Sequence, residues 1–136
     1  MGCKNTKVKI IPQGTRLSEV LSKPEYDNLF YSFLVETYCN ETYEFYRAVL
    51  DFKEKPTKEK SDHIIENHIS EDGEAPINFE YELDRQTLLE KYFDKYNAHS
   101  ISHIFRDGKI NAAFFDESFL EARNELVFSL TQYFSS

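Results

Sequence analysis

Apolar residues recur at helical spacing along most of the chain. Phe30, Phe33 and Leu34 stand at i, i+3 and i+4, and Phe45, Ala48, Val49 and Phe52 carry the same repeat through i+7, one face of an amphipathic helix. Ile64, Ile65, His68 and Ile69 form a shorter stripe, Leu88, Leu89, Tyr92, Phe93 and Tyr96 a fourth, and Phe119, Ala122, Leu126, Leu130 and Tyr133 a fifth. Leu17–Ser22 is long enough for one or two helical turns before Pro24 stops it. Asp116 is placed to cap the last helix, with Phe115 and Leu120 as the two partners of a hydrophobic staple. Asn40 is placed to cap the helix of the second stripe, with Glu41 in its first turn suiting the helix dipole, and Lys55-Pro56 ends that helix. Ser70–Asn78 carries Gly73 and Pro76 and reads as a loop. "RDGK", Arg106–Lys109, reads as a turn that either closes a short hairpin or joins two helices. With no internal repeat and no alternation of strand and helix patterns, the expected fold class is all-α.

A chain of 136 residues is the size of one domain and can bury its own core. With 12 Phe and 9 Tyr but no Trp, aromatic rings must fill much of that core. The net charge of −8 argues against general nucleic-acid binding, because a phosphate backbone needs a basic face. No stretch of about 18 apolar residues is present to span a membrane, and no secretory signal pattern precedes the domain. Cys3 and Cys39 do not make a disulfide framework, so a reducing, intracellular compartment is expected.

The charge is unevenly spread. The first 18 residues hold Lys4, Lys7, Lys9 and Arg16 and no acid, so the rest of the chain is more acidic than the total. Residues 1–16 read as a flexible basic arm, and 17–136 as the folded domain. The arm opens "MGCKNT", which fits N-myristoylation at Gly2, with Cys3 beside it placed for palmitoylation. One acyl chain holds weakly; a second chain and a basic cluster facing anionic lipid make a stable anchor. The arm is therefore expected to hold the domain at the cytoplasmic face of the plasma membrane, with a cytoplasmic pool.

Candidate chemistry is sparse. His99 and His103 share a helical face at i, i+4, but a zinc site needs three or four ligands, and Cys39 has no placed partner. The glycine-rich phosphate loops and nucleophile elbows of nucleotide-binding and hydrolytic enzymes are absent. The acid runs Glu71/Asp72/Glu74, Glu80/Glu82/Asp84 and Asp116/Glu117 read as solvated faces. No metal, no cofactor and no self-sufficient enzyme site is expected.

Residues 17–54 resemble the opening of a regulator of G-protein signalling (RGS) domain. That family runs from a Leu-rich short helix to Phe-x-x-Phe-Leu-x-x-Glu-Phe/Tyr, then Ser-x-Glu-Asn, then Phe-Trp-x-Ala-x-x-Asp/Glu-Phe/Tyr-Lys. Leu17, Leu21, Phe30, Phe33, Leu34, Tyr38, Glu41, Phe45, Ala48, Asp51, Phe52 and Lys53 fall in register, with Tyr46 at the Trp position. "APINFE" is similar to the family loop that carries an Asn, here Asn78, and "FDESFLEARNELVFSL" to its later helix. The resemblance implies a four-helix bundle packed on a subdomain made by both chain ends. It also implies binding to the switch regions of a GTP-bound Gα subunit through Tyr38, Cys39, Asn40, Glu41, Thr42, Asn78 and Glu80. The expected activity is GTPase activation without catalytic residues of its own. Gα carries its arginine in cis and its water-orienting Gln, so the partner need only restrict their motion.

The chain departs from the family at Cys39, where Ser is usual, and at Thr42, where Asn is usual. Residues 97–114 are an insertion, and "TQYFSS" offers no Arg where the family's last segment should begin. Two readings follow: a membrane-tethered GTPase activator for Gα, or a membrane-anchored adaptor that binds a partner through an RGS-like bundle without accelerating hydrolysis.

Overall fold

A computed structural model describes residues 10–79, 82–96 and 111–136. The expectations for Gly2, Cys3 and the arm lysines, for Glu80, for the two spaced histidines and for the 106–109 turn lie outside these residues. Among the described residues the elements are all helical: α1 (Leu17–Ser22), α2 (Pro24–Glu36), α3 (Asn40–Glu54), α4 (Lys58–Ile64), α5 (Glu82–Tyr96) and α6 (Asp116–Ser135). The chain is all-α, as the periodicity requires.

α3 is the central element. Its stripe of Phe45, Val49 and Phe52 is fully buried, and it packs along α6 on one side and against α4 and α2 on the others. Tyr46, at the position of the family Trp, stacks on Phe119 of α6 with centroids 4.5 Å apart and planes 3° from parallel. Phe52 meets Phe115 edge-on at 5.4 Å. The two ends of the described chain come together: α1 buries Leu17, Val20 and Leu21, packing on α2 and α6, and Phe33 of α2 meets Tyr133 near the end of α6 edge-on at 5.4 Å. α5 is fixed by Tyr92, which is buried against Phe114 and whose hydroxyl bonds Asp62 and, at 2.7 Å, the buried Ser61 of α4.

Two helix starts differ from the sequence expectation. α2 ends in a tight reversal: the Cys39 N–H donates to Leu34 O at 2.8 Å and the Tyr38 N–H to Val35 O at 3.2 Å, with Tyr38 left-handed at φ 61°. This reversal makes Cys39 the residue before α3, so Asn40 is already helical and cannot cap it. Its side chain runs forward along the helix, with its amide 3.4 Å from Glu44 Oε2. Glu41 does lie in the first turn. Asp116 does not cap α6 either; Phe115 precedes the helix, and the Asp116 carboxylate pairs with Lys53 Nζ at 2.5 Å. The staple is absent because Phe115 is buried against Phe52 and Phe114, while Leu120 faces solvent.

α4 widens at its end into a π-helical turn, Ile65–Ile69, closed by the Ser70 N–H on Ile65 O at 2.9 Å. The wider turn buries Ile65, His68 and Ile69 together and leads straight into the 70–79 loop.

Candidate functional site

The 70–79 loop has no regular structure of its own, so its shape comes from what it is bonded to. The Ala75 N–H donates to Asn67 O at 3.0 Å and the Ile77 N–H to His68 O at 2.8 Å, pinning the loop to the π turn. Gly73 passes so close to that turn that a Cβ there would lie 2.5 Å from Glu66 O, which only glycine tolerates. His68 Nδ1 lies 3.0 Å from Ala75 O, and the ring is buried edge-on to Phe45. Burial pushes its pKa below 6.5, against a smaller opposing effect from the Ala75 carbonyl.

Arg85 of α5 completes the frame. It is only 8% exposed. Its guanidinium donates to Ile69 O at 2.6 Å and to Ile77 O at 3.2 Å, one carbonyl at each end of the loop. Its Nε donates to Glu82, and the guanidinium covers the Phe79 ring at 4.9 Å. A planar fork can reach two diverging carbonyls at once; an ammonium cannot do so from one position. The residues on both sides of Asn78 are thereby fixed, and Asn78 itself is exposed.

The α2–α3 turn supplies the other half. Tyr38 is 87% exposed and is the one non-glycine residue at positive φ among the described residues. Cys39 is half-buried, its thiol 3.5 Å from Thr37 O. Thr42, in the first turn of α3, donates its hydroxyl to Glu125 Oε1 of α6 at 3.0 Å. Thr42, Ile77 and Asn78 line one small pit of about 10 Å³ with Ala122 and Glu125 of α6. On the other side of Thr42 a groove of about 360 Å³ runs along α6 between Cys39 and Phe128.

Of the residues expected at the site, Thr42 and Asn78 therefore meet, from segments far apart in sequence, and Cys39 borders the same ridge. Tyr38, Asn40 and Glu41 flank it by chain continuity. Sequence reasoning missed Glu125, Arg85 and His68. Glu117, Glu121 and Glu125 at i, i+4 and i+8 mark the polar face of α6, the signal that could have pointed to Glu125. Arg85 in an acidic helix start carried no such signal. No group of three or more possible metal ligands comes together among the described residues, and no helix there is long and apolar enough to cross a membrane.

The model of the regulator of G protein signaling domain matches residues 16–117, three quarters of the chain. The chain belongs to the RGS family. This membership ties it to the regulation of G-protein signalling. The matched span of this RGS domain contains the α2–α3 turn, the Asn78 loop and Arg85, while most of α6 with Glu125 lies beyond it. No curated protein and no solved structure shows a significant match to the chain.

Proposed function

We propose that this RGS domain binds the switch regions of an activated, GTP-bound Gα subunit and accelerates its GTP hydrolysis. The observation that carries the reading is the meeting of Thr42 and Asn78 on one ridge, with the Asn78 loop braced from both ends by Arg85. A braced, exposed polar surface suits a partner that works by restraint: it adds no nucleophile or metal and lowers the barrier by fixing groups Gα already has. The chain is then a GTPase activator and not itself an enzyme.

The second part of the proposal is the anchor. Gly2 and Cys3 carry acyl chains, and with Lys4, Lys7 and Lys9 they hold the domain on the anionic inner face of the plasma membrane, where a lipidated Gα is also confined. Confinement to one surface raises the effective concentration of each partner for the other. Membrane fractionation tests it: Gly2→Ala abolishes association, and a Gly2→Ala protein that stays with the membrane overturns the anchor.

Single-turnover GTP hydrolysis by a panel of Gα subunits, with and without this chain, tests the activity. Asn78→Ala weakens acceleration at unchanged thermal stability, since an exposed loop substitution usually moves stability by within about 0.5 kcal/mol. The deficit is larger for Gα·GDP with a phosphate mimic than for Gα·GDP alone. A parent that accelerates no Gα, yet binds one without preferring the phosphate-mimic complex, supports the adaptor reading instead. One observation favours that alternative: the Thr42 hydroxyl, at the position of the family Asn, is bonded inside the chain.

A further inference from the structure

The Thr42–Glu125 hydrogen bond changes what the ridge can offer a partner. A threonine hydroxyl has a single proton to donate, and a carboxylate has none. Thr42 donates that proton to Glu125 Oε1. What remains facing outward from the pair is acceptor only: the lone pairs of Thr42 Oγ1 and of Glu125 Oε2. An Asn at position 42 would differ, because its amide has two N–H groups and could still donate one outward after serving Glu125.

The pit between Thr42, Asn78 and Glu125 holds about 10 Å³, roughly what one water needs and too little for a partner side chain. A partner must therefore meet the top of the ridge, where Glu125 stands between the pit and the groove toward Phe128.

We propose that Glu125, held by Thr42, is a specificity-determining residue: beside Asn78 this domain accepts a Gα subunit that presents a hydrogen-bond donor at this point and rejects one that presents an acceptor. The proposal rests on the Gα-binding reading. Discrimination follows from the cost of burying an unpaired acceptor against a carboxylate, which is larger than the gain from a good pair.

The test is the affinity for Gα·GDP with a phosphate mimic, measured by calorimetry for the full chain and for Glu125→Gln, Glu125→Lys, Thr42→Val and the Thr42→Val/Glu125→Gln double variant. Both sites are on the surface, so thermal stability stays close to the parent and reports that each variant is folded. Glu125→Gln keeps one carbonyl acceptor but loses the charge, and is expected to weaken binding about tenfold, the difference between a charge-assisted and a neutral hydrogen bond. Glu125→Lys, which replaces the acceptor with a donor, weakens it further. Thr42→Val removes the restraint on Glu125 and weakens binding less. The double variant binds no more weakly than Glu125→Gln alone, because Thr42 acts through Glu125. Parent-like affinity of Glu125→Gln and Glu125→Lys overturns the proposal while leaving the Gα reading in place. Strictly additive losses in the double variant overturn the role of Thr42 as positioning residue. A parent that binds no Gα overturns both readings together.

Discussion

Tyr38 is held where an L-residue is uncomfortable, and replacing it with glycine separates what the fold wants from what the surface does. At φ 61° the Cβ crowds the following carbonyl, at a cost of about 1–2 kcal/mol for a non-glycine residue. The ring recovers little of this, being 87% exposed. Tyr38→Gly removes the strain but gives the unfolded chain more freedom, which offsets about 0.4–1 kcal/mol. The net expectation is a gain of about 0.5–1 kcal/mol, or roughly 2–5 °C in Tm for a domain of this size. Calorimetry and urea denaturation should both register it, with an unchanged m-value. Gα binding should move the other way, because an exposed tyrosine at an interface is the kind of residue whose truncation costs about 1 kcal/mol or more. Opposite signs in the two assays are what retained strain at a working surface predicts. A Tm that is unchanged or lower would refute the reasoning, since the αL penalty would then be absent or the ring would be supporting the fold.

Three further outcomes are expected. Phe52→Ala, in the fully buried α3 stripe against Phe115, should cost about 3–5 kcal/mol by urea denaturation, against a total of about 5–15 kcal/mol for a domain. Arg85→Lys keeps the charge but not the fork, so one of the Ile69 and Ile77 carbonyls loses its donor; stability should fall by about 1.5–3 kcal/mol, and amide exchange at Ala75 and Ile77 should speed up. For His68, burial lowers the folded-state pKa below 6.5, so the unfolded chain takes up the proton first: stability is full above about 6.5 and declines as pH falls toward the lowered value. The urea midpoint should accordingly drop between about pH 7.5 and about pH 6, and His68→Gln should flatten that slope.

The hydrophobic stripes were legible because burial imposes a period, and a period survives in one dimension. Phe30, Leu34, Phe45, Val49, Phe52, Leu126 and Leu130 are all buried where the 3.6-residue repeat puts them. The helix starts were less legible. Asn40 and Asp116 are good capping residues in isolation, but the reversal at Tyr38–Cys39 starts α3 one residue early, and Lys53 captures the Asp116 carboxylate from a neighbouring helix. The first outcome depends on backbone bonds within the turn and the second on a neighbouring helix, and single-residue propensity contains neither. The same holds for the site. Thr42 and Asn78 were nameable through family register, yet their meeting depends on α6, where the spacing of Glu117, Glu121 and Glu125 marks a polar face but does not single out Glu125. Arg85 is the extreme case. In sequence it is one charge among acids on an amphipathic helix, and ordinary odds would leave such a residue in solvent. It is buried because the 70–79 loop, having no ladder of its own, leaves carbonyls at both ends that need donors, and a guanidinium one helix away can satisfy two of them together. Asn78 is exposed on a loop whose neighbours on both sides, the Ile77 carbonyl and the Phe79 ring, are held by a buried guanidinium, a link between a core arginine and a surface asparagine that only the folded chain reveals.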